Sequence, residues 1–89
     1  MQELLIDTKT CGDEQGCRHT FRYYLLIEKI LTDSFTCENF GVRIEEVGGS
    51  ISAIPAITPS YTRIRELMEL LCQNTVTPIN LPEVLEDWL

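Results

Sequence analysis

The chain has 89 residues, 44% of them hydrophobic, and its fourteen acidic and seven basic side chains give a net charge of −7. This length fits one compact domain, residues 1–89, with no room for a second. The charge repels phosphate backbones and anionic lipid surfaces, so we expect neither nucleic acid nor a membrane as a partner.

The first predicted elements are two strands joined by a turn. Residues 4–10 open with apolar and β-branched side chains, which favour a strand, and residues 12–16 (GDEQG) have the composition of a turn. Residues 17–30 then alternate at the period of a second strand. We expect the core face of that strand to carry five side chains: His19, Phe21, Tyr23, Leu25 and Ile27.

A second hairpin is predicted from residue 40 onward. Residues 40–45 alternate between apolar and polar, and Gly48 and Gly49 can both take the positive φ that a two-residue hairpin loop requires. A fourth strand spans residues 51–54, and Pro55, which has no N–H to donate, makes it an edge strand. The two-residue loop predicts the following opposite pairs: Val47 and Ser50, Ile44 and Ala53, Arg43 and Ile54.

Two helices close the chain. Thr58 is expected to cap a helix over about residues 59–73, because Pro59 suits the first helical position, and Asn74 is expected to end it in the left-handed conformation. A short helix follows over about residues 82–88 and has an apolar side. The longer helix carries an apolar stripe of six residues: Tyr61, Ile64, Leu67, Met68, Leu71 and Cys72.

The predicted fold class is α+β. An antiparallel meander of three or four strands, over about residues 2–57, is packed on one face by the C-terminal amphipathic helix, with the short terminal helix at its edge. One helix across one sheet accounts for most of the core of a domain this small. The other face of the sheet is left to solvent or to a partner.

A metal- or thiol-dependent sensor is one alternative function. It would use the only collection of soft ligands in the chain, Cys11, Cys17, His19 and Cys37. Structural zinc sites usually draw their ligands from tight Cys-x-x-Cys pairs, whereas five residues separate Cys11 from Cys17. We therefore predict no metal and no cofactor.

A cytoplasmic location is expected. Residues 1–3 (MQE) carry no basic, apolar leader, and without an export signal the four cysteines are expected to stay reduced. The longest apolar stretch, residues 23–27, is far shorter than the about 20 residues that span a bilayer.

The leading functional prediction is a non-enzymatic protein-interaction or regulatory module. The chain has no Gly-rich phosphate loop and no HExxH or GxSxG motif, so we do not expect an enzyme. The exposed sheet face mixes Arg and Tyr with apolar side chains, as interfaces do, which favours a protein partner or a homodimer. A weaker alternative is a small enzyme whose site forms at an oligomer interface. The candidate interaction surface has eight members: Arg22, Tyr24, Leu26, Arg43, Glu45, Ile54, Leu70 and Trp88.

Five segments of the chain resemble a known family. They are residues 21–26 (FRYYLL), 40–45 (FGVRIE), 57–59 (ITP), 74–81 (NTVTPINL) and 84–89 (VLEDWL). The chain is similar over nearly its whole length to small proteins of unknown function from clostridial Gram-positive bacteria. The resemblance implies a bacterial cytoplasmic protein and transfers no catalytic residue, and the four cysteines are not part of the shared pattern.

Overall fold

The computed structural model describes residues 1–89 and confirms the predicted α+β class. The strands form a single antiparallel meander in the order β1-β2-β3-β4, and both helices pack on one face of it, which we call the inner face. Neither helix has the length and apolar composition needed to cross a membrane. The six elements are β1 (Gln2–Gly12), β2 (Arg18–Leu31), β3 (Thr36–Glu46), β4 (Ile51–Thr58), α1 (Tyr61–Gln73) and α2 (Leu81–Trp88).

The first hairpin turns where the sequence predicted a turn. The carboxylate of Asp13 accepts the backbone N–H groups of Gln15 and Cys17, each at 2.9 Å. Such side-chain bonds hold the chain in a reversal between two strands. β1 then pairs with β2 along its length, with one β-bulge between Leu5 and Asp7.

The second hairpin has a different register from the predicted one. Its loop holds three residues, 47–49, and Gly48 takes a φ of 78°. Arg43 therefore pairs with Ala53 and not with Ile54. A slip of one residue exchanges the two faces of a strand. Ile54 consequently lies on the inner face and packs against the core, so the prediction that placed it on the outer face is wrong.

The edge strand β4 is interrupted at Pro55. A bulge there breaks the regular pairing with β3, and Ala56 takes a φ of 55°. The bulge carries the chain over Gly41, where an added Cβ would lie 2.4 Å from the carbonyl oxygen of Ile54. Only a glycine allows the two backbones to come this close.

The caps of α1 differ from the predicted ones. Ser60 is the N-cap, and its hydroxyl accepts the N–H of Arg63 at 3.2 Å. The Thr58 hydroxyl accepts the N–H of Ser60 ahead of the helix, so the prediction of Thr58 as the cap is wrong. Asn74 has a φ of −95°, and the left-handed residue is Thr75 with a φ of 48°. α1 ends at Gln73 and Asn74 is its C-cap, where the sequence predicts the stop; only the left-handed conformation predicted for Asn74 is wrong, because Thr75 adopts it.

The core lies between the inner face and the two helices. Tyr23 is fully buried at its centre, and its hydroxyl donates to the carbonyl of Val76 at 2.9 Å. Burial raises the pKa of Tyr23 to about 12, so the hydroxyl remains a donor. Tyr61, predicted in the apolar stripe, is instead 60% exposed and meets Phe40 by a ring edge. The helices bury Ile64, Leu67, Met68, Leu71, Cys72, Leu81 and Leu85.

Candidate functional site

The outer face of the sheet carries a row of side chains that crosses all four strands. Leu5 on β1 lies opposite Tyr24 on β2. Tyr24 lies opposite Arg43 on β3, and Arg43 lies opposite Ala53 on β4. Directly opposite residues in antiparallel strands share a face and contact each other. The row therefore contains Tyr24 and Arg43, which were both predicted to belong to the interaction surface, and Leu5 from the edge strand β1.

A second row runs beside the first. It pairs Thr8 with Arg22, Arg22 with Glu45, and Glu45 with Ile51. The two large apolar side chains in these rows are open to solvent, with Leu5 55% and Ile51 57% exposed. Exposed apolar side chains thus stand on both sides of a polar centre. We define this outer-face patch by six residues: Leu5, Arg22, Tyr24, Arg43, Glu45 and Ile51.

The guanidinium of Arg43 is held at the centre of the outer-face patch. It lies 4.9 Å from the ring centroid of Tyr24 and within 3.3 Å of Glu3 and 3.4 Å of Glu45. Glu45 is also 3.5 Å from Arg22. Ion pairs at a surface add little to folding stability. Their effect here is to fix the side chain of Arg43, which is only 22% exposed, in one orientation.

Two residues predicted for this surface do not belong to it. Leu26 is on the outer face, but it is only 3% exposed. It lies opposite Gly41, next to the bulge at Pro55, so the prediction of Leu26 as a contact residue is wrong. Ile54 is on the inner face because of the register of β4.

The last two predicted residues lie on the helices, away from the outer-face patch. Leu70 is 38% exposed on α1. Trp88 packs against the core, and the guanidinium of Arg63 lies 4.4 Å from its ring centroid. The eight predicted residues therefore do not form one surface.

The sequence does not identify Leu5 and Ile51 as members of this surface. Ile51 reaches the outer face because the loop holds three residues, and a pair of glycines at 48 and 49 is compatible with either loop length. Leu5 lies just before the bulge of β1. No feature of the sequence marks that bulge, so the face on which Leu5 lies could not be assigned.

The four soft ligands are not assembled into one site. Cys11 lies opposite His19, with Cys17 at the end of the same turn. Cys37 pairs with Ile30 at the other end of β2. All four cysteines of the chain are free, and no group of three potential ligands is placed to hold a metal ion. The arrangement required by a four-ligand sensor is absent from the fold.

His19 instead links two carboxylates. Its Nδ1 is 2.7 Å from Oε1 of Glu46, and its Nε2 is 3.1 Å from Oδ2 of Asp13. The hydrogen bonds to Asp13 and then to Glu46 raise the pKa of His19 above 6.5. The bond from His19 and the N–H of Cys17 lower the pKa of Asp13 below 3.8. A protonated His19 donates to both carboxylates and ties the first turn to the end of β3.

A groove of about 380 Å³ separates α1 from β1 on the inner face. Its charged rim is paired internally, with Lys9 3.5 Å from Asp7 and Arg65 3.9 Å from Glu69. The only thiol in its lining is that of Cys72, and burial raises the pKa of Cys72 to about 11. A thiol that stays protonated is a poor nucleophile. The Cys72 thiol therefore gives the groove no nucleophile.

A comparison with known protein families assigns the chain to a family. Residues 2–89 match the Family of unknown function (DUF6514), and the chain belongs to this family. The expected resemblance to a family of unknown function is thereby confirmed. No curated protein and no solved structure matches the chain.

Proposed function

We propose that this member of the DUF6514 family is a non-enzymatic interaction or regulatory module that binds a protein partner through the outer-face patch. The observation that carries the proposal is the pair of exposed apolar side chains, Leu5 and Ile51, on either side of the fixed Arg43–Tyr24 stack. Aromatic residues and arginine are enriched where proteins bind each other. A side chain that is already ordered loses little conformational entropy on binding.

The charges of the outer-face patch indicate how the partner is recognised. Arg43 faces Glu3 and Glu45, and Arg22 faces Glu45, so each positive group already has a negative neighbour. A partner then gains more from apolar contact and shape than from net charge. We expect its association with the outer-face patch to depend weakly on salt concentration.

The proposal includes a bacterial, cytoplasmic setting. Four free cysteines, with Cys11 and Cys17 exposed, suit a reducing compartment, where thiols persist unpaired. The net charge of −7 favours solubility and disfavours binding to nucleic acid or anionic lipid.

Site-specific photo-crosslinking in the protein's own cells tests the proposal. A photoreactive amino acid replaces Ile51 in the outer-face patch or, as the matched control, the exposed Glu66 on α1. Position 51 is expected to yield a crosslinked protein that position 66 does not yield. Adding Arg22→Ser and Tyr24→Ser to the position-51 protein is expected to reduce that crosslink.

Two results would contradict the proposal. One is the same crosslinked species from both positions, and the other is a position-51 crosslink that the double substitution leaves unchanged. Circular dichroism of the purified double variant shows whether the fold is intact. Both substituted side chains lie on the outer face, so the core and the fold should be preserved.

A further inference from the structure

The two edges of the sheet differ in what they offer to another strand. β4 is blunted by the bulge around Pro55 and the positive φ of Ala56. β1 runs for 11 residues without proline, and beyond its one bulge the stretch from Asp7 to Gly12 pairs with β2 without interruption. Leu4, Leu5 and Ile6 are exposed on β1. A long edge with unpaired backbone groups is a template for a further strand. β1 is therefore the edge open to pairing.

Thr8 presents its backbone polar groups to that free edge. Its N–H donates to the carboxylate of the preceding residue, Asp7, at 2.8 Å. In an antiparallel ladder one residue turns both its N–H and its C=O to the same neighbour. With its N–H outside the ladder to β2, Thr8 offers one donor and one acceptor to an incoming strand.

We propose that β1 pairs antiparallel with β1 of a second copy of this chain, centred on Thr8. Asp7 and Lys9 lie on the inner face, because they pair with the core residues Tyr23 and Phe21. Centring on Thr8 places each Asp7 opposite Lys9 of the other copy, twice across the two-fold axis. In this register two copies of the same edge bring opposite charges together at both positions.

The charges also exclude the neighbouring registers. Moving the axis to Asp7 sets two carboxylates opposite each other, and moving it to Lys9 sets two ammonium groups opposite each other. Like charges directly opposite in a sheet are destabilising. On pairing, the N–H of Thr8 exchanges the Asp7 carboxylate for the carbonyl of the other Thr8. Asp7 and Lys9, which are 3.5 Å apart within one chain, exchange that ion pair for the two pairs between the copies.

This pairing uses the backbone edge of β1, which shares only Leu5 with the outer-face patch, and it does not depend on the function proposed for that patch. Sedimentation velocity of the purified full chain over a range of concentrations tests it. The wild-type chain is expected to dimerise. Asp7→Lys and Lys9→Asp each turn the two attractive pairs into repulsive ones, and each variant alone is expected to dimerise at least about tenfold more weakly.

An equimolar mixture of the two variants supplies the decisive result. The mixture restores opposite charges at both pairs, so a heterodimer is expected where each variant alone is monomeric. Thr8→Pro removes an N–H whose hydrogen bond goes to Asp7 and not to β2, and it is also expected to abolish dimerisation, with circular dichroism confirming that the fold tolerates the fixed φ of proline. Arg22→Ser with Tyr24→Ser is the control and is expected to dimerise as the wild type does. A monomeric wild type, single variants that dimerise as tightly as the wild type, or a monomeric mixture overturns the proposal.

Discussion

Ile54 and Ile51 form a matched pair of positions for testing the register of β4. Both are isoleucines on the same edge strand, three residues apart. Ile54 pairs with Val42 and packs against the core, whereas Ile51 pairs with Glu45 and is 57% exposed. The register with a two-residue loop would place Ile54 outside. Replacing each by alanine therefore distinguishes the two registers through stability alone.

The expected magnitudes follow from burial. Removing a fully buried isoleucine side chain down to alanine costs about 2–5 kcal/mol. Ile54 is partly buried, so we expect Ile54→Ala to lower the free energy of unfolding by about 1–2.5 kcal/mol. Ile51→Ala removes groups that already contact water, and we expect a change within about 0.5 kcal/mol.

Urea unfolding followed by far-UV circular dichroism measures both values. The two variants should keep the wild-type dependence on denaturant, so that a shift of the midpoint reports stability directly. Equal losses from the two variants, or a larger loss from Ile51→Ala, would refute the register and with it the place of Ile51 in the outer-face patch. The proposed function would then lose one of its two exposed apolar contacts.

Three further substitutions test other parts of the fold. Gly41→Ala sets a Cβ against the backbone of β4, and we expect a loss of about 1–3 kcal/mol in urea unfolding; an unchanged midpoint would contradict the close approach. Tyr23→Phe removes the donor to the Val76 carbonyl and should cost about 1–3 kcal/mol, whereas a neutral result would mean that water reaches this carbonyl. The hydrogen bonds to Asp13 and Glu46 raise the pKa of His19. The stability that the protonated His19 contributes is therefore fully present below about pH 6.5, the ordinary pKa of histidine, and is lost as the pH rises through the folded-state pKa. The free energy of unfolding should fall over that range in the wild type and stay flat in His19→Gln. Parallel pH profiles would show that the hydrogen bonds of His19 to the two carboxylates do not stabilise the fold.

The elements of this fold follow from local patterns, which is why the sequence predicts them. Alternation along β2 identifies Phe21, Tyr23 and Leu25 as core residues, and all three are buried. The amphipathic period of α1 does the same for Ile64 and the residues that follow it. Such patterns depend only on which face is apolar.

The details that shape the outer-face patch depend on contacts between distant segments. The loop at Gly48 could hold two or three residues, and the choice decides whether Ile51 or Ile54 faces out. Leu26 has the pattern of an exposed position and is covered because the chain bulges toward Gly41 at Pro55. Neither the bulge nor the loop length changes the local alternation of apolar and polar residues. The sequence alone therefore does not give the correct positions of Leu26, Ile51 and Ile54.

The measurement that tests the account most directly is a native mass spectrum of the protein isolated from its own cells without chelator. It is recorded for the wild type, for Asp7→Lys, and for Arg22→Ser with Tyr24→Ser. The account predicts a complex with a protein partner in the wild type and in Asp7→Lys, and its loss in the double variant. A wild-type spectrum without such a complex, or a complex undiminished by the double substitution, would contradict binding through the outer-face patch.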